Sequence, residues 1–247
     1  MTTTSAPADT SAIPTQRVSA TVRWYTPCPQ PNGLQATEEG LWVIDQKDMP
    51  LMAMLLDWET GKTLHSFPTE TNHSSGITVE PGPDGAVWIA STYPPIELFR
   101  YSRDGKVLRR LDTPGKSEKS GAHGLEWIDG KLWVTVPPSA TTYQLDPENG
   151  KVLKSFPAPG SRPHGVGWDG NLFWVAETSK RTITAYTLEG QPVRVLELEE
   201  GPTEGPAPHG MTYWKGEPNQ STSTHGQLWY CDADTRAVCT IDIPDAP

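Results

Sequence analysis

The chain has 247 residues with 20 basic and 30 acidic side chains, which leaves a formal net charge of −10. This length suits one all-β domain with a full core, and the negative charge disfavours a nucleic-acid partner because it repels phosphate. No apolar run is long enough to span a membrane, and the first residues lack the basic-then-apolar order of a signal peptide. We therefore expect a soluble, cytoplasmic, monomeric protein that binds neither nucleic acid nor a membrane.

The sequence divides into a short tail and one domain. Residues 1–14 are rich in Thr, Ser, Ala and Pro, a composition typical of disorder, and residues 15–247 form the predicted single domain. At the start of this domain, residues 17–25 (RVSATVRWY) alternate in polarity as a strand does. The three cysteines form neither a CxxC nor a CxxH motif, so we expect buried free thiols, with a disulfide between two of them as the alternative.

The main feature of the domain is a repeated strand that opens with a hydrophobic residue followed by Trp. The repeat occurs at Trp42, Trp88, Trp133, Trp174 and Trp229. Most of these tryptophans follow, by roughly ten residues, a glycine that enters the preceding strand. The glycines are Gly33, Gly76, Gly124, Gly165 and Gly210, at spacings of 43, 48, 41 and 45 residues. One four-stranded propeller blade takes about 40–45 residues, so the repeat predicts five blades, with the tryptophans packed between them.

The third repeat shows the strands of a single blade. Its apolar segments are residues 123–129, 131–136, 141–147 and 151–159. Asp-Gly, Pro-Pro-Ser and Glu-Asn-Gly separate them, and these residues favour turns. The fifth repeat has an insertion at residues 215–226 and ends before a fourth strand, which segment 17–25 can supply. The predicted fold is all-β: a five-bladed β-propeller of four-stranded antiparallel blades, with the last blade closed by an N-terminal strand.

The first strand of each propeller blade lines the central channel, so the residues before the five glycines gather at one mouth of it. They are Asn32, Ser75, His123, His164 and His209, and His73 stands two residues before Ser75. Neutral imidazole suits zinc, copper, iron, manganese or nickel, whereas calcium and magnesium prefer oxygen ligands. We predict a divalent transition metal held by His123, His164 and His209, with Asn32 or His73 as a further contact and a position open to water or substrate.

A purely structural role for these histidines is the alternative. In WD-repeat propellers a Gly-His pair joins a buried hydrogen-bond network that holds the blade together. Here the order of the pair is reversed, and the repeated Trp-Asp partner of that network is missing. Blades one and two also carry Asn32 and Ser75 at the same position, so a blade does not require His there. These differences favour a functional role.

Glu177 is a further candidate at the same end of the propeller. It ends the second strand of the fourth blade, where other blades have Asp, Ser or Val, so no requirement shared by the blades explains it. It could orient an imidazole, bind the metal or act as a general base, and a solvated rim carboxylate is the alternative. We predict Glu177 and His209 as the catalytic residues.

The motifs Pro-Asn-Gly-Leu at 31–34, Pro-His-Gly-Val at 163–166 and Pro-His-Gly-Met at 208–211 extend the repeat. With the Gly-x-Leu/Val-Trp strands, they resemble the virginiamycin B lyase (streptogramin lyase) group and the related gluconolactonase and senescence-marker-protein propellers, from about Gly33 to the C-terminus. The resemblance implies a divalent cation at the channel mouth, with Asn32, His123, His164 and His209 at the matching positions. Those relatives usually have six or seven blades, and the gluconolactonase-like centre is mainly carboxylate and Asn, so the resemblance specifies neither substrate nor reaction.

The leading hypothesis is a metal-dependent lyase or hydrolase that acts on a small-molecule substrate. The metal would polarise a carbonyl or activate water while Glu177 moves a proton. Two other hypotheses stay open: a non-catalytic propeller that binds a ligand or a protein at its mouth, and a cofactor-free enzyme in which the histidines act directly as acid and base.

Overall fold

The structure is a computed structural model that describes residues 6–199, 205–216 and 224–246. It confirms the predicted five-bladed β-propeller of four-stranded antiparallel blades. Blade one contains β3 (Pro31–Thr37), β4 (Gly40–Asp45), β5 (Met52–Leu56) and β6 (Thr63–Pro68). Blade two contains β7 (Ser74–Val79), β8 (Val87–Ser91), β9 (Glu97–Tyr101) and β10 (Val107–Asp112). Blade three contains β11 (Gly124–Ile128), β12 (Lys131–Val136), β13 (Thr141–Leu145) and β14 (Val152–Pro157), with a 3₁₀ turn at Pro137–Ser139.

The last two blades use both ends of the chain. Blade four contains β15 (Pro163–Trp168), β16 (Phe173–Glu177), β17 (Thr182–Tyr186) and β18 (Pro192–Leu198). Blade five contains β19 (Met211–Trp214), β20 (Gln227–Cys231), β21 (Ala237–Asp242) and β2 (Thr21–Tyr25). Within the insertion predicted at 215–226, residues 217–223 lie outside the described part of the chain.

The N-terminal closing strand is confirmed, but its extent differs from the prediction. Strand β2 pairs antiparallel with β21, with Thr21 opposite Thr240. The segment 17–25 is not one strand, because β1 (Thr15–Val18) pairs in parallel with β18 on the outer edge of blade four. The chain therefore crosses from one blade to the next between β1 and β2, and its N-terminal segment joins blade four to blade five.

Part of the predicted tail also contacts the propeller. The backbone N–H of Ala8 donates a hydrogen bond of 3.0 Å to the carbonyl of Ala158, and Ala8 packs against the apolar cluster between blades three and four. Residues 1–5 of the tail lie outside the described part of the chain. A domain boundary at residue 15 stays a prediction.

The repeated glycines allow the five inner strands to approach closely. A Cβ atom added at each glycine would meet a carbonyl oxygen of the next blade, at a distance below the 3.0 Å that real Cβ atoms respect. The pairs are Gly33 with Ser75 at 2.2 Å, Gly76 with His123 at 2.7 Å, Gly124 with His164 at 2.3 Å, Gly165 with His209 at 2.4 Å and Gly210 with Asn32 at 2.8 Å. Each partner is the residue before the next glycine, so these contacts place the pre-glycine residues together around the channel.

In the described part of the chain, the core consists of five apolar clusters, one between each pair of neighbouring blades. Each of the five repeated tryptophans is buried in one of them, which confirms their packing role. The cysteines Cys28, Cys231 and Cys239 are buried free thiols, as expected. Among the residues that the structure describes, no helix is long and apolar enough to cross a membrane. The cytoplasmic location stays a prediction.

Candidate active site

A pocket of about 260 Å³ opens at the mouth where the inner strands begin. Its described lining residues are Asn32, Gln46, His73, Tyr93, His123, Pro137, Arg162, His164 and His209. The pocket therefore brings together five of the six predicted site residues, and Glu177 does not line it. Its volume is below the roughly 300–1,000 Å³ of pockets for drug-sized ligands, so it suits a small molecule or the end of a larger one.

Three imidazoles form one side of this pocket. The ring centroids of His123 and His164 are 4.3 Å apart, and those of His164 and His209 are 5.3 Å apart, with both pairs edge to face. The Nδ1 atom of His164 lies 3.0 Å from the carbonyl oxygen of Arg162, and that of His209 lies 3.3 Å from the carbonyl oxygen of Ala207. A carbonyl only accepts hydrogen bonds, so Nδ1 carries the proton in both rings. Each neutral ring then keeps a lone pair on Nε2.

Burial keeps these imidazoles neutral. It lowers the pKa of His164 to about 3 and that of His123 well below its usual value, and the charge of Arg162 lowers both further. Burial also lowers the pKa of His209, but the nearby carboxylates of Asp232 and Asp234 oppose this shift. Among the three rings, His209 is therefore the one whose protonation is favoured by neighbouring carboxylates.

The opposite side of the mouth consists of amides and hydroxyls. The Oγ atom of Ser75 lies within hydrogen-bonding distance of Asn32 Nδ2 at 3.2 Å, Gln46 Nε2 at 3.4 Å and Thr92 Oγ1 at 2.9 Å. Among the residues that line the pocket, two buried side-chain atoms have no hydrogen-bond partner in the described part of the chain: Oδ1 of Asn32 and Nδ1 of His123. Unpaired buried polar atoms cost roughly 1–3 kcal/mol each, so this mouth is suited to a polar ligand.

A second layer at the rim comes from the residues two positions before each pre-glycine residue. These are Gln30, His73, Gly121, Arg162 and Ala207. His73 has a left-handed backbone with φ of 52°, and its ring stacks on that of Tyr93 with centroids 4.0 Å apart. Burial lowers the pKa of His73. Blade three has Gly121 at this level, so it adds no side chain there, and a Cβ at this position would lie 2.3 Å from Ile96.

Glu177 does not line the pocket, and its carboxylate accepts hydrogen bonds from the backbone. One carboxylate oxygen accepts hydrogen bonds from the backbone N–H groups of Ser161 at 3.2 Å and Arg162 at 2.9 Å. The other oxygen accepts one from the backbone of Lys180 at 2.6 Å. Gly160, with φ of 61°, packs against the Glu177 side chain so closely that a Cβ would lie 2.4 Å from it. The carboxylate therefore holds the loop that carries Arg162 and His164.

An equivalent bond occurs in blades one, two and five, so a requirement shared by most blades accounts for Glu177, and blade three, with Val136, is the exception. Asp45 accepts the backbone N–H of Gln30 at 3.2 Å, and Asp232 accepts that of Ala207 at 2.5 Å. Ser91 plays this part in blade two, where its hydroxyl accepts the N–H of Asn72 at 2.9 Å. In each case the end of the second strand holds the loop before the first strand. The observed contacts support a loop-holding role for Glu177, and its catalytic role stays a prediction.

The predicted metal site is matched by its donor chemistry and not by its arrangement. Neutral imidazoles whose Nδ1–H is donated to a carbonyl are the usual form of histidine ligands, and low pKa values remove competition from protons. Within residues 6–199, 205–216 and 224–246, however, no three side chains of His, Cys, Asp or Glu are placed to hold one metal ion.

Four lining residues were not predicted from the sequence: Gln46, Tyr93, Pro137 and Arg162. Arg162 could have been predicted to line the pocket, because it stands two residues before His164, as His73 stands two residues before Ser75. Gln46, Tyr93 and Pro137 follow second strands, where sequence alone does not indicate which side chains turn toward the channel.

No protein-family model and no curated protein matches the chain. Among solved structures, glutaminyl cyclase from Myxococcus xanthus aligns at a TM-score of 0.65 and 13% identity, over 93% of this chain and 99% of that one. Virginiamycin B lyase from Staphylococcus aureus aligns at 0.53 and 19% identity, over 93% of this chain and 75% of that one. A streptogramin B lyase aligns at 0.52 and 16% identity, over 91% and 97%.

The chain is a propeller similar to virginiamycin B lyase. The structural comparison thus confirms the resemblance expected from the Pro-His-Gly motifs. These neighbours are propellers with the names of enzymes, and at such identities the likeness concerns the fold alone.

Proposed function

We propose that this protein is a small-molecule enzyme, a lyase or hydrolase, whose reaction centre is the imidazole side of the mouth pocket. The observation that carries the proposal is a pocket with three neutral imidazoles in which two buried atoms, His123 Nδ1 and Asn32 Oδ1, have no hydrogen-bond partner among the described residues. Blades one and two have Asn and Ser at the same position, so blade structure does not require this arrangement. The catalytic names of the structural neighbours agree with the proposal.

Within this centre, His209 is the proposed proton-transfer residue. Its Nδ1–H is donated to the carbonyl of Ala207, which leaves Nε2 as the basic atom. The carboxylate of Asp232 favours the protonated ring, as a base that takes a proton from substrate or water requires. His123 and His164 resist protonation more strongly, and we assign them to hydrogen bonding and to orienting the substrate.

Substitution by the residue types of other blades tests this role with little risk to the fold. His209→Asn introduces the side chain that blade one already carries at this position. We expect wild type and the exposed control Glu118→Gln to convert at least one compound of a panel of esters, lactones and β-substituted carboxylates. His209→Asn should be slower by about 100-fold or more, the usual contribution of general acid–base catalysis.

Two outcomes would contradict the proposal. One is turnover that is equal in wild type and His209→Asn. The other is binding of panel compounds at the imidazoles, seen as changes in their ¹⁵N signals, without any conversion. That result would support the non-catalytic binding propeller instead.

A divalent transition metal at His123, His164 and His209 is the second candidate for this centre. The donation of Nδ1–H to a carbonyl in His164 and His209 and the low pKa of His164 favour it, whereas the described side chains are not arranged around one ion. Such a metal, when bound, would supply Lewis-acid polarisation of a carbonyl or of water. Metal analysis of protein purified without an affinity tag, against a variant with all three changed to Ala, separates the two candidates. Stoichiometric metal in wild type alone supports the metal, and equal content in both proteins rejects it.

A further inference from the structure

Arg162 is the one permanently charged residue among the described residues that line the pocket, and none of them is acidic. Its guanidinium has no ion pair with any described carboxylate. The chain as a whole has 30 acidic residues and a net charge of −10. The lack of a carboxylate among the described lining residues is therefore unusual for so acidic a chain.

The backbone of Arg162 is held on both sides. Its N–H donates to the Glu177 carboxylate at 2.9 Å, and its carbonyl accepts the Nδ1–H of His164 at 3.0 Å. The residue that carries the cation is thus tied directly to an imidazole of the reaction centre. The structural role of Glu177 is to keep this residue in place.

Blade two contributes an aromatic surface to the same pocket. Tyr93 stacks on His73 with an angle of 7° between the ring planes, and Tyr93 remains 43% exposed. The pocket thus has a cation on blade four, a planar aromatic surface on blade two and the neutral imidazoles of blades three, four and five. These are contacts for a molecule with an anionic end and a flat or apolar body.

We propose that Arg162 binds the carboxylate of a small monoanionic substrate whose remaining part lies against the Tyr93–His73 stack. This inference rests on the proposed function and names its substrate class. The charge balance favours a carboxylate over a phosphate, because one guanidinium beside neutral imidazoles matches one negative charge. A phosphate monoester carries about −1.5 to −2 at neutral pH.

Benzoate, its neutral analogue benzamide and inorganic phosphate are the probes. Calorimetry gives their affinities, and the imidazole ¹⁵N signals report whether they enter the pocket. We expect benzoate to bind wild type at least about tenfold more tightly than benzamide or phosphate, as the loss of a charge-assisted contact implies. Arg162→Gln should weaken benzoate by a similar factor and leave benzamide unchanged.

The exposed Lys119→Gln, which removes the same charge from a nearby loop and does not line the pocket, is the matched control and should bind benzoate as wild type does. Arg162→Lys should keep part of the preference for benzoate over benzamide, which separates loss of charge from misfolding of the loop. Tyr93→Ala should weaken benzoate more than acetate, because acetate has no ring to stack.

The proposal is overturned if Arg162→Gln binds benzoate as wild type does, if benzamide or phosphate binds as tightly as benzoate, or if benzoate leaves the imidazole signals unchanged. The proposed function fails separately. His209→Asn should still bind benzoate, so a variant that keeps both binding and turnover rejects the role of His209 and leaves the carboxylate site intact.

Discussion

Glu126 is a buried carboxyl on the inner strand β11, three residues after His123, and it is 5% exposed. Burial raises its pKa from 4.5 to about 8, against hydrogen bonds from the Trp127 backbone and from Gln35 and Thr78 that favour the ionised form. The folded protein therefore keeps this carboxyl protonated at neutral pH, whereas the unfolded chain ionises it. We predict that Glu126→Gln, which keeps the shape and removes the titration, stabilises the protein at neutral pH.

The sign and size follow from proton linkage. Between pH 4.5 and about 8 the folded state binds more protons than the unfolded state, so this group makes stability fall as pH rises. At pH 7 the cost is about 2.5 pH units at about 1.4 kcal/mol each, or between about 3 and 4 kcal/mol. Below the unfolded pKa of 4.5 the cost disappears.

Guanidinium titrations of wild type and Glu126→Gln at several pH values between about 5 and 8 measure this difference. The buried imidazoles titrate in both proteins, so the difference between the two free energies of unfolding isolates Glu126. It should grow by about 3 to 4 kcal/mol from pH 5 to pH 8. The exposed Glu118→Gln should show no such trend. A difference that stays constant with pH would refute the protonated buried carboxyl.

Four further predictions follow from the structure. Glu177→Gln should lower the free energy of unfolding by about 1–3 kcal/mol in a denaturant titration, because it places an amide NH₂ against backbone donors. The same variant should change turnover of the folded protein far less than His209→Asn does. Gly165→Ala should lower the melting temperature, because its Cβ would lie 2.3 Å from the backbone nitrogen of Met211. Deletion of residues 1–19 should keep the circular dichroism of the propeller and cost about 2 kcal/mol or more in a denaturant titration, because it removes β1 and the buried Val18. His164 has a pKa of about 3, so its ¹⁵N shifts should stay those of a neutral Nδ1–H ring down to about pH 5. Its burial should make the free energy of unfolding fall as pH drops below 6.5, where the unfolded chain binds a proton that the folded protein does not. A change of the His164 ¹⁵N shifts centred near pH 6.5 would contradict this.

The positions of the histidines could be predicted because each repeat has a glycine at the same level of its inner strand. The glycine before each inner strand must accommodate the carbonyl of the next blade, as Gly165 does against His209, and this requirement marks the same level in every blade. The position of His73 in the pocket could be predicted in the same way, because it stands two residues before the pre-glycine residue Ser75. The repeat did not reveal the structural role of Glu177, because Asp, Ser and Glu differ in sequence while each accepts an equivalent backbone hydrogen bond.

The sequence by itself determined the number of blades, the closure by an N-terminal strand and the gathering of Asn32, His73, His123, His164 and His209 at one mouth. These depend on local periodicity and on the geometry of a repeated meander. Only the tertiary structure decided that β1 joins blade four, that Arg162 and Tyr93 face the pocket and that Glu177 holds a loop. Side-chain direction in loops and the burial that sets protonation depend on contacts between blades, and no single repeat contains them.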